Sequence, residues 1–266
     1  MSTIWGIMQG RFTDKGGFYP QQFPWGNWQQ EFFTAQACHI DCIEWMFNSE
    51  RFEENPLWTK SGRSEIRSIM VNSNVEVRSI CSNFFMQHSL ESEEALNCLR
   101  YLLDAGEELG IRQIIIPLFG ASEILYTSKI VERFKTIEDL LSRRKICIGF
   151  ESDLSIEDQL YICEMLQMDQ IGICYDVGNS AGNGYNYIDD IAKAQEYLLE
   201  VHLKDKAYKG NSVMFGEGAV AFRDVFQTLD SRNTNMFIFE SYFGTSAVKD
   251  TSKNIEFIRE MYPHDQ

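Results

Sequence analysis

Eight short apolar, β-branched runs, each followed by a segment of different periodicity, most limit what this chain can fold into. The runs are TIWGIM (3–8), IDCIEW (40–45), VEVRSICS (75–82), RQIIIP (112–117), KICIGFE (145–151), QIGICYD (170–176), LLEVHL (198–203) and NMFIFES (235–241). Between them, Ala95, Leu99, Leu102 and Leu103, and again Ile130, Phe134, Ile137 and Leu141, recur at the spacing of one buried helix face. Ser155 followed by Asp158 marks a helix start after the fifth run. Strand alternating with helix predicts right-handed βαβ units and a parallel sheet. About eight such units fit 266 residues as a single α/β domain spanning 1–266, a closed (β/α)8 barrel. A doubly wound open sheet is the alternative, but the first βα turn reads MQGRF and lacks a GxGxxG fingerprint.

Charge narrows the partners. A formal net charge of −15 with no basic cluster argues against nucleic acid and against an anionic membrane, since both need concentrated Lys and Arg. No apolar run approaches a membrane span, and MSTIWGIMQGRF reads as an early strand, not as a signal peptide. The seven cysteines are scattered, without a CxxC pair; Cys38-His39-x-x-Cys42 would be half of a zinc knuckle, and no second half exists. Buried reduced thiols and a cytoplasmic location are therefore expected.

In such a barrel the chemistry gathers at the C-terminal ends of the strands. Runs five to eight place Glu151, Asp176, His202 and Glu240 there. Neighbouring strands lie about 4.8 Å apart, so three carboxylates and one imidazole can converge on one ion. An oxygen-rich set with one imidazole suits Mn²⁺, Mg²⁺ or Co²⁺. Mn²⁺ is the leading expectation, catalytic Zn²⁺ stays open, and cysteine-rich structural zinc is excluded.

The pieces MQGR, FESD (150–153), YDVGN (175–179), VHLKD (201–205), GEG (216–218) and FES (239–241) occur in order along the whole chain. Together they resemble the sugar phosphate isomerase/epimerase superfamily, the xylose isomerase-like TIM barrels, which include ketose 3-epimerases, hydroxypyruvate isomerases, inosose dehydratases and endonuclease IV. The resemblance implies one divalent ion held by Glu151, Asp176, His202 and Glu240, with Glu151 and Glu240 also moving protons. The ion would polarise a substrate carbonyl and stabilise an enediolate, while a carboxylate on either side exchanges the α proton. The nuclease branch needs many histidines, one of them three residues after the strand-six Asp; here that position is Asn179, and only four histidines are present.

Lys204, Arg11, Asn179, Glu44 and His88 are candidates for substrate contact. Lys204 otherwise reads as a loop charge, Arg11 as half of an ion pair at the barrel mouth, and His88 as a cap or surface residue. Gly216 and Gly218 would serve an anion through backbone N–H groups or simply permit a turn. Phe18, Tyr19, Phe23, Trp25 and Trp28 could cover a sugar ring or pack a helix on the barrel. The expected partner is a small sugar, sugar phosphate or polyol-derived ketone, with a homo-oligomer left open. The expected activity is metal-dependent isomerisation or epimerisation. Its rivals are an inosose-type dehydratase on the same site and a non-catalytic sugar-binding barrel.

Overall fold

A computed structural model describes residues 3–14, 22–119, 127–229 and 235–262. Eight strands appear where the apolar runs lie: β1 (Ile4–Met8), β2 (Cys42–Phe47), β3 (Glu76–Ser82), β4 (Gln113–Pro117), β5 (Cys147–Glu151), β6 (Ile171–Asp176), β7 (Leu198–Leu203) and β8 (Met236–Phe239). Each pairs in parallel with the next, and β1 closes on β8, so the sheet is a closed barrel in sequence order. The longer helices α1 (Trp28–Ala37), α2 (Lys60–Ser73), α3 (Glu93–Leu109), α4 (Thr127–Thr136), α6 (Ile156–Leu166) and α10 (Ala247–Met261) alternate with the strands, as do the shorter α5 (Glu138–Leu141), α7 (Val177–Asn183), α8 (Tyr187–Ala194) and α9 (Phe222–Thr228). Among the described residues, no helix is long and apolar enough to cross a membrane.

Local chemistry explains the boundaries. Ser155 caps α6 by accepting from the Asp158 amide, as its spacing predicts. The apolar face from Ile130 to Leu141 is buried throughout, but the helix breaks at Ile137, whose backbone (φ −109°, ψ 6°) ends α4 and starts α5. Strand β2 runs two residues beyond its expected end, because Met46 and Phe47 continue the buried apolar run before Asn48.

Two hydrophobic layers result. Outward-facing strand residues pack under the helices in the main core, whereas Met8, Cys42, Met46, Cys81, Met236 and Ile238 form a separate sulfur-rich cluster. Phe23 and Trp28 belong to the outer layer: both lie against Trp45 of β2, at ring-centroid separations of 5.2 and 5.4 Å. Trp25 packs edge-on against Phe23 and carries the Arg51 guanidinium over its ring. These three pack helix α1 on the barrel; Phe18 and Tyr19 lie outside the described residues.

Side chains alternate along a strand, and after β7 that alternation separates Lys204 from Asp205. Lys204 turns toward the barrel mouth. Asp205 turns to the loop that follows, where its carboxylate accepts from the amides of Gly216 (2.9 Å), Gly218 (3.0 Å) and Val220 (3.2 Å). Those glycine N–H groups are thus spent on a fixed carboxylate and are not offered to a phosphate. Gly216 sits at φ +86°, and a Cβ on Gly218 would stand 2.0 Å from Asp205 Oδ1. Asp205→Ala, which strands three donors, should lower the unfolding free energy by about 3 kcal/mol or more, and Gly218→Ala should be destabilising for the same contact. Denaturant unfolding checks both; wild-type midpoints would show that the loop does not depend on this carboxylate.

Candidate metal centre

The quartet predicted at the strand ends assembles. Glu151 closes β5, Asp176 closes β6, His202 is the penultimate residue of β7, and Glu240 follows β8 directly. Asp176 and His202 are register partners. One ligand atom from each of the four lies within 4.8 Å of every other, and all four side chains are buried, His202 completely.

Three carboxylates this close repel one another, and the structure shows what balances them. Lys204 Nζ donates to Asp176 Oδ2 at 2.7 Å and to Glu240 Oε1 at 2.6 Å. His202 Nδ1 lies 3.1 Å from Glu240 Oε2 and 3.9 Å from Glu151 Oε2. An Arg11 terminal nitrogen reaches Glu240 Oε1 at 3.4 Å. Arg11 is itself held by its flanking backbone: buried Glu31 of α1 accepts from the Gly10 amide (2.8 Å), the Phe12 amide (3.3 Å) and Thr13 Oγ1 (2.6 Å). Asn179 ties two of the acids together, its backbone amide on Asp176 Oδ1 at 2.8 Å and its side-chain amide on Glu151 Oε1 at 3.4 Å.

The balance is uneven, and so is the acidity. Burial opposes ionisation of Glu240, but Lys204, His202 and Arg11 outweigh it and hold this carboxyl well below the usual range. Glu151 has weaker cationic support; burial, with Glu240 and Asp176 nearby, pushes it up to about 8. Burial also raises Asp176, against the pull of Lys204. For His202 burial works against the charged form, yet Cys174, Glu44 and Glu200 more than compensate and raise its pKa well above the ordinary value. As a donor set, buried carboxylates plus one imidazole suit a hard or borderline divalent cation, and their convergence fits such an ion.

Two of the candidates for substrate contact lie elsewhere. Glu44 is completely buried one layer deeper, because β2 extends three residues past it; its Oε2 faces His202 Nε2 at 3.4 Å, and its Oε1 accepts from Ser79 at 3.2 Å. His88 stacks on Phe84, with centroids 4.0 Å apart, and its Nδ1 lies 3.3 Å from Glu94. Phe84 and Glu94 help line a cavity of about 570 Å³ that contains none of the quartet. Arg11, Lys204 and Asn179 do border the quartet. Sequence reasoning passed over Glu200, completely buried, whose Oε1 lies 3.1 Å from His202 Nε2. Its position two residues before His202, hence on the same strand face, was the available signal.

A pH dependence follows for chelator-treated protein. Glu151 and Glu44, both raised to about 8 from an ordinary 4.5, keep protons in the folded state that the unfolded chain releases. Stability therefore falls as pH rises from about 4.5 to 8. The raised His202 has the same sign: its contribution is complete below its ordinary 6.5 and is lost as pH climbs through the folded value. Depressed Glu240 acts the other way, and only as pH falls below its ordinary 4.5. The melting temperature should drop between pH 5 and 8.5, and saturating Mn²⁺ should restore it most at the upper end. A flat or rising profile would mean that these groups hold no such protons.

Residues 32–261 match the family described as Xylose isomerase-like TIM barrel. No curated protein matches the chain. Among solved structures it is similar to a xylose isomerase domain protein from Planctomyces limnophilus (15% identity, 98% of this chain and 97% of that one, TM-score 0.74). It is also similar to an L-ribulose 3-epimerase (14%, 98% and 94%, 0.74). A third is a xylose isomerase-like TIM barrel protein from Mycobacterium smegmatis in complex with magnesium (16%, 98% and 96%, 0.71). At these identities the structural likeness establishes the fold, while the family match covers most of the chain. The protein belongs to the xylose isomerase-like TIM barrel family.

Proposed function

We propose that this protein is a divalent-metal-dependent isomerase or epimerase of a small sugar, sugar phosphate or polyol-derived ketone. The observation that carries the reading is the buried convergence of Glu151, Asp176, His202 and Glu240 at the C-terminal mouth of the barrel. A sugar-binding module without chemistry has no use for three acids held against their own repulsion. The epimerase among the similar structures is consistent with this substrate class.

When bound, a divalent ion supplies Lewis acidity that polarises a substrate carbonyl and acidifies the neighbouring C–H. The chain supplies the rest. Asp176, His202 and Glu240 would hold the ion, with Glu151 completing the set. Glu151 has the more basic carboxylate, met by the Asn179 amide and a distant imidazole, so it is the group suited to take the proton. Glu240, engaged by Lys204, His202 and Arg11, is the weaker base and mainly a ligand; an epimerase would use it to return a proton to the opposite face. Lys204, Arg11 and Asn179 line the space where substrate oxygens would lie.

Metal-loaded protein incubated in deuterated water with a panel of ketoses, aldoses and their phosphates should exchange one carbon-bound proton, seen by NMR. Product mass separates isomerisation from loss of water. No exchange with any member, at full metal occupancy, would sink the reading.

Two sets of variants sharpen it. Asp176→Ala or His202→Ala should abolish tight binding of about one ion per chain, read by elemental analysis; unchanged metal in both would refute the shared site. Glu151→Gln should lose about 10²–10⁴ in turnover beyond any fall in metal occupancy, the scale of a general base. Glu240→Gln should lose turnover largely in step with occupancy. Equal, occupancy-independent losses would instead identify a two-base epimerase.

A further inference from the structure

The quartet has a second storey. Directly beneath it, inside the barrel, His202 Nε2 faces two carboxylates that no substrate can reach: Glu200 Oε1 at 3.1 Å and Glu44 Oε2 at 3.4 Å. They come from β7 and β2, and both are completely buried. Glu200 Oε1 also accepts a weak bond from Cys174 Sγ at 3.7 Å, and Glu44 Oε1 accepts from Ser79. Their neighbours inside the barrel are the thioethers and thiols of Met8, Cys42, Met46 and Cys81. Burying a carboxylate in such surroundings is expensive unless it is paired. Each acid also keeps one oxygen, Oε2, without a hydrogen bond. Barrel packing alone gives no reason to place two acids here.

The imidazole gives one. Nε2 lies within hydrogen-bond reach of Glu200 Oε1, and a carboxylate acceptor at that distance is met by a hydrogen on Nε2. Nδ1 is then the nitrogen that faces the opening between Glu240 Oε2 (3.1 Å) and Glu151 Oε2 (3.9 Å), where a bound ion would take the place of a proton. We propose that Glu200, assisted by Glu44, is a positioning residue that fixes the His202 tautomer and ring orientation and strengthens Nδ1 as a donor to the ion. The inference rests on the reading of the quartet as a metal centre. Glu200 touches neither ion nor substrate; it acts through His202. Outer-shell partners of this kind typically change metal affinity by about 10–100-fold.

The test uses full-length protein with Mn²⁺ or Co²⁺ as the probe. Mn²⁺ affinity is measured by chelator competition for wild type, Glu200→Gln, Glu200→Leu and Glu44→Gln. In Co²⁺-loaded protein, His202 should give one solvent-exchangeable, hyperfine-shifted N–H resonance, assigned by ring-¹⁵N histidine labelling, since His202 is the quartet's one histidine. Glu200→Gln, which keeps shape and an acceptor oxygen but no charge, should weaken Mn²⁺ binding about 10-fold and move that resonance. Glu200→Leu should weaken it by up to about 100-fold and speed the exchange of that proton. Glu44→Gln should do less than Glu200→Gln, and stands in should the Glu200 variants fail to fold. If wild type binds Mn²⁺ but the folded variants match it in affinity and resonance, the positioning role is wrong and the metal centre stands. If wild type binds neither ion, both readings fall.

Discussion

Closing eight parallel strands into a barrel sends every second side chain into a space that water does not fill, and everything distinctive here follows from what occupies it. Along β7 the inward positions nearest the mouth are Glu200 and His202, followed by Lys204 beyond the strand. An acid, an imidazole and an ammonium thus stand in a column. Groups so costly to bury survive because each meets an opposite charge or a donor from another strand: Glu240 from β8, Asp176 from β6, Glu44 from β2. A one-residue slip of β7 would turn the whole column outward. Strand register is therefore as much a part of the site as its ligands.

The charge column also explains why carboxylates of one kind behave differently. Glu240 meets three cationic groups, while Glu151 meets an amide and a more distant imidazole. Environment alone separates a tightly ionised carboxylate from a more basic one. That division of labour is the usual way in which an enzyme obtains two functions from one residue type. Arg11 belongs to the same balance, and buried Glu31 explains how a residue on a turn is held in place for it.

Much of this was legible before any coordinates, for a local reason. A charged or imidazole side chain at the end of an apolar run stands out, and runs five to eight each carry one as their last or penultimate residue. What escaped the sequence depended on distance in the chain or on depth in the barrel. The Arg11–Glu240 pair spans 229 positions and exists only because β1 closes on β8. The run IDCIEW stops at Trp45 and so puts Glu44 near a strand end; two further apolar residues, Met46 and Phe47, push it one layer down. Glu200 was hidden by its surroundings, since an acid in mid-strand ordinarily reads as a solvent-facing position. The glycines of FGEG admitted an anion-binding loop, and the structure supplies that anion from within the chain, as Asp205.

Lys204 and Asp205 share a peptide bond but work on opposite faces of the strand. The first spans Asp176 and Glu240, and the second pins the amides of Gly216, Gly218 and Val220. Any outward swing of that loop has to break three bonds to Asp205 and drag the backbone that carries the ammonium. This side of the mouth is consequently a wall and not a door: whatever enters or leaves the barrel has to pass it without moving it.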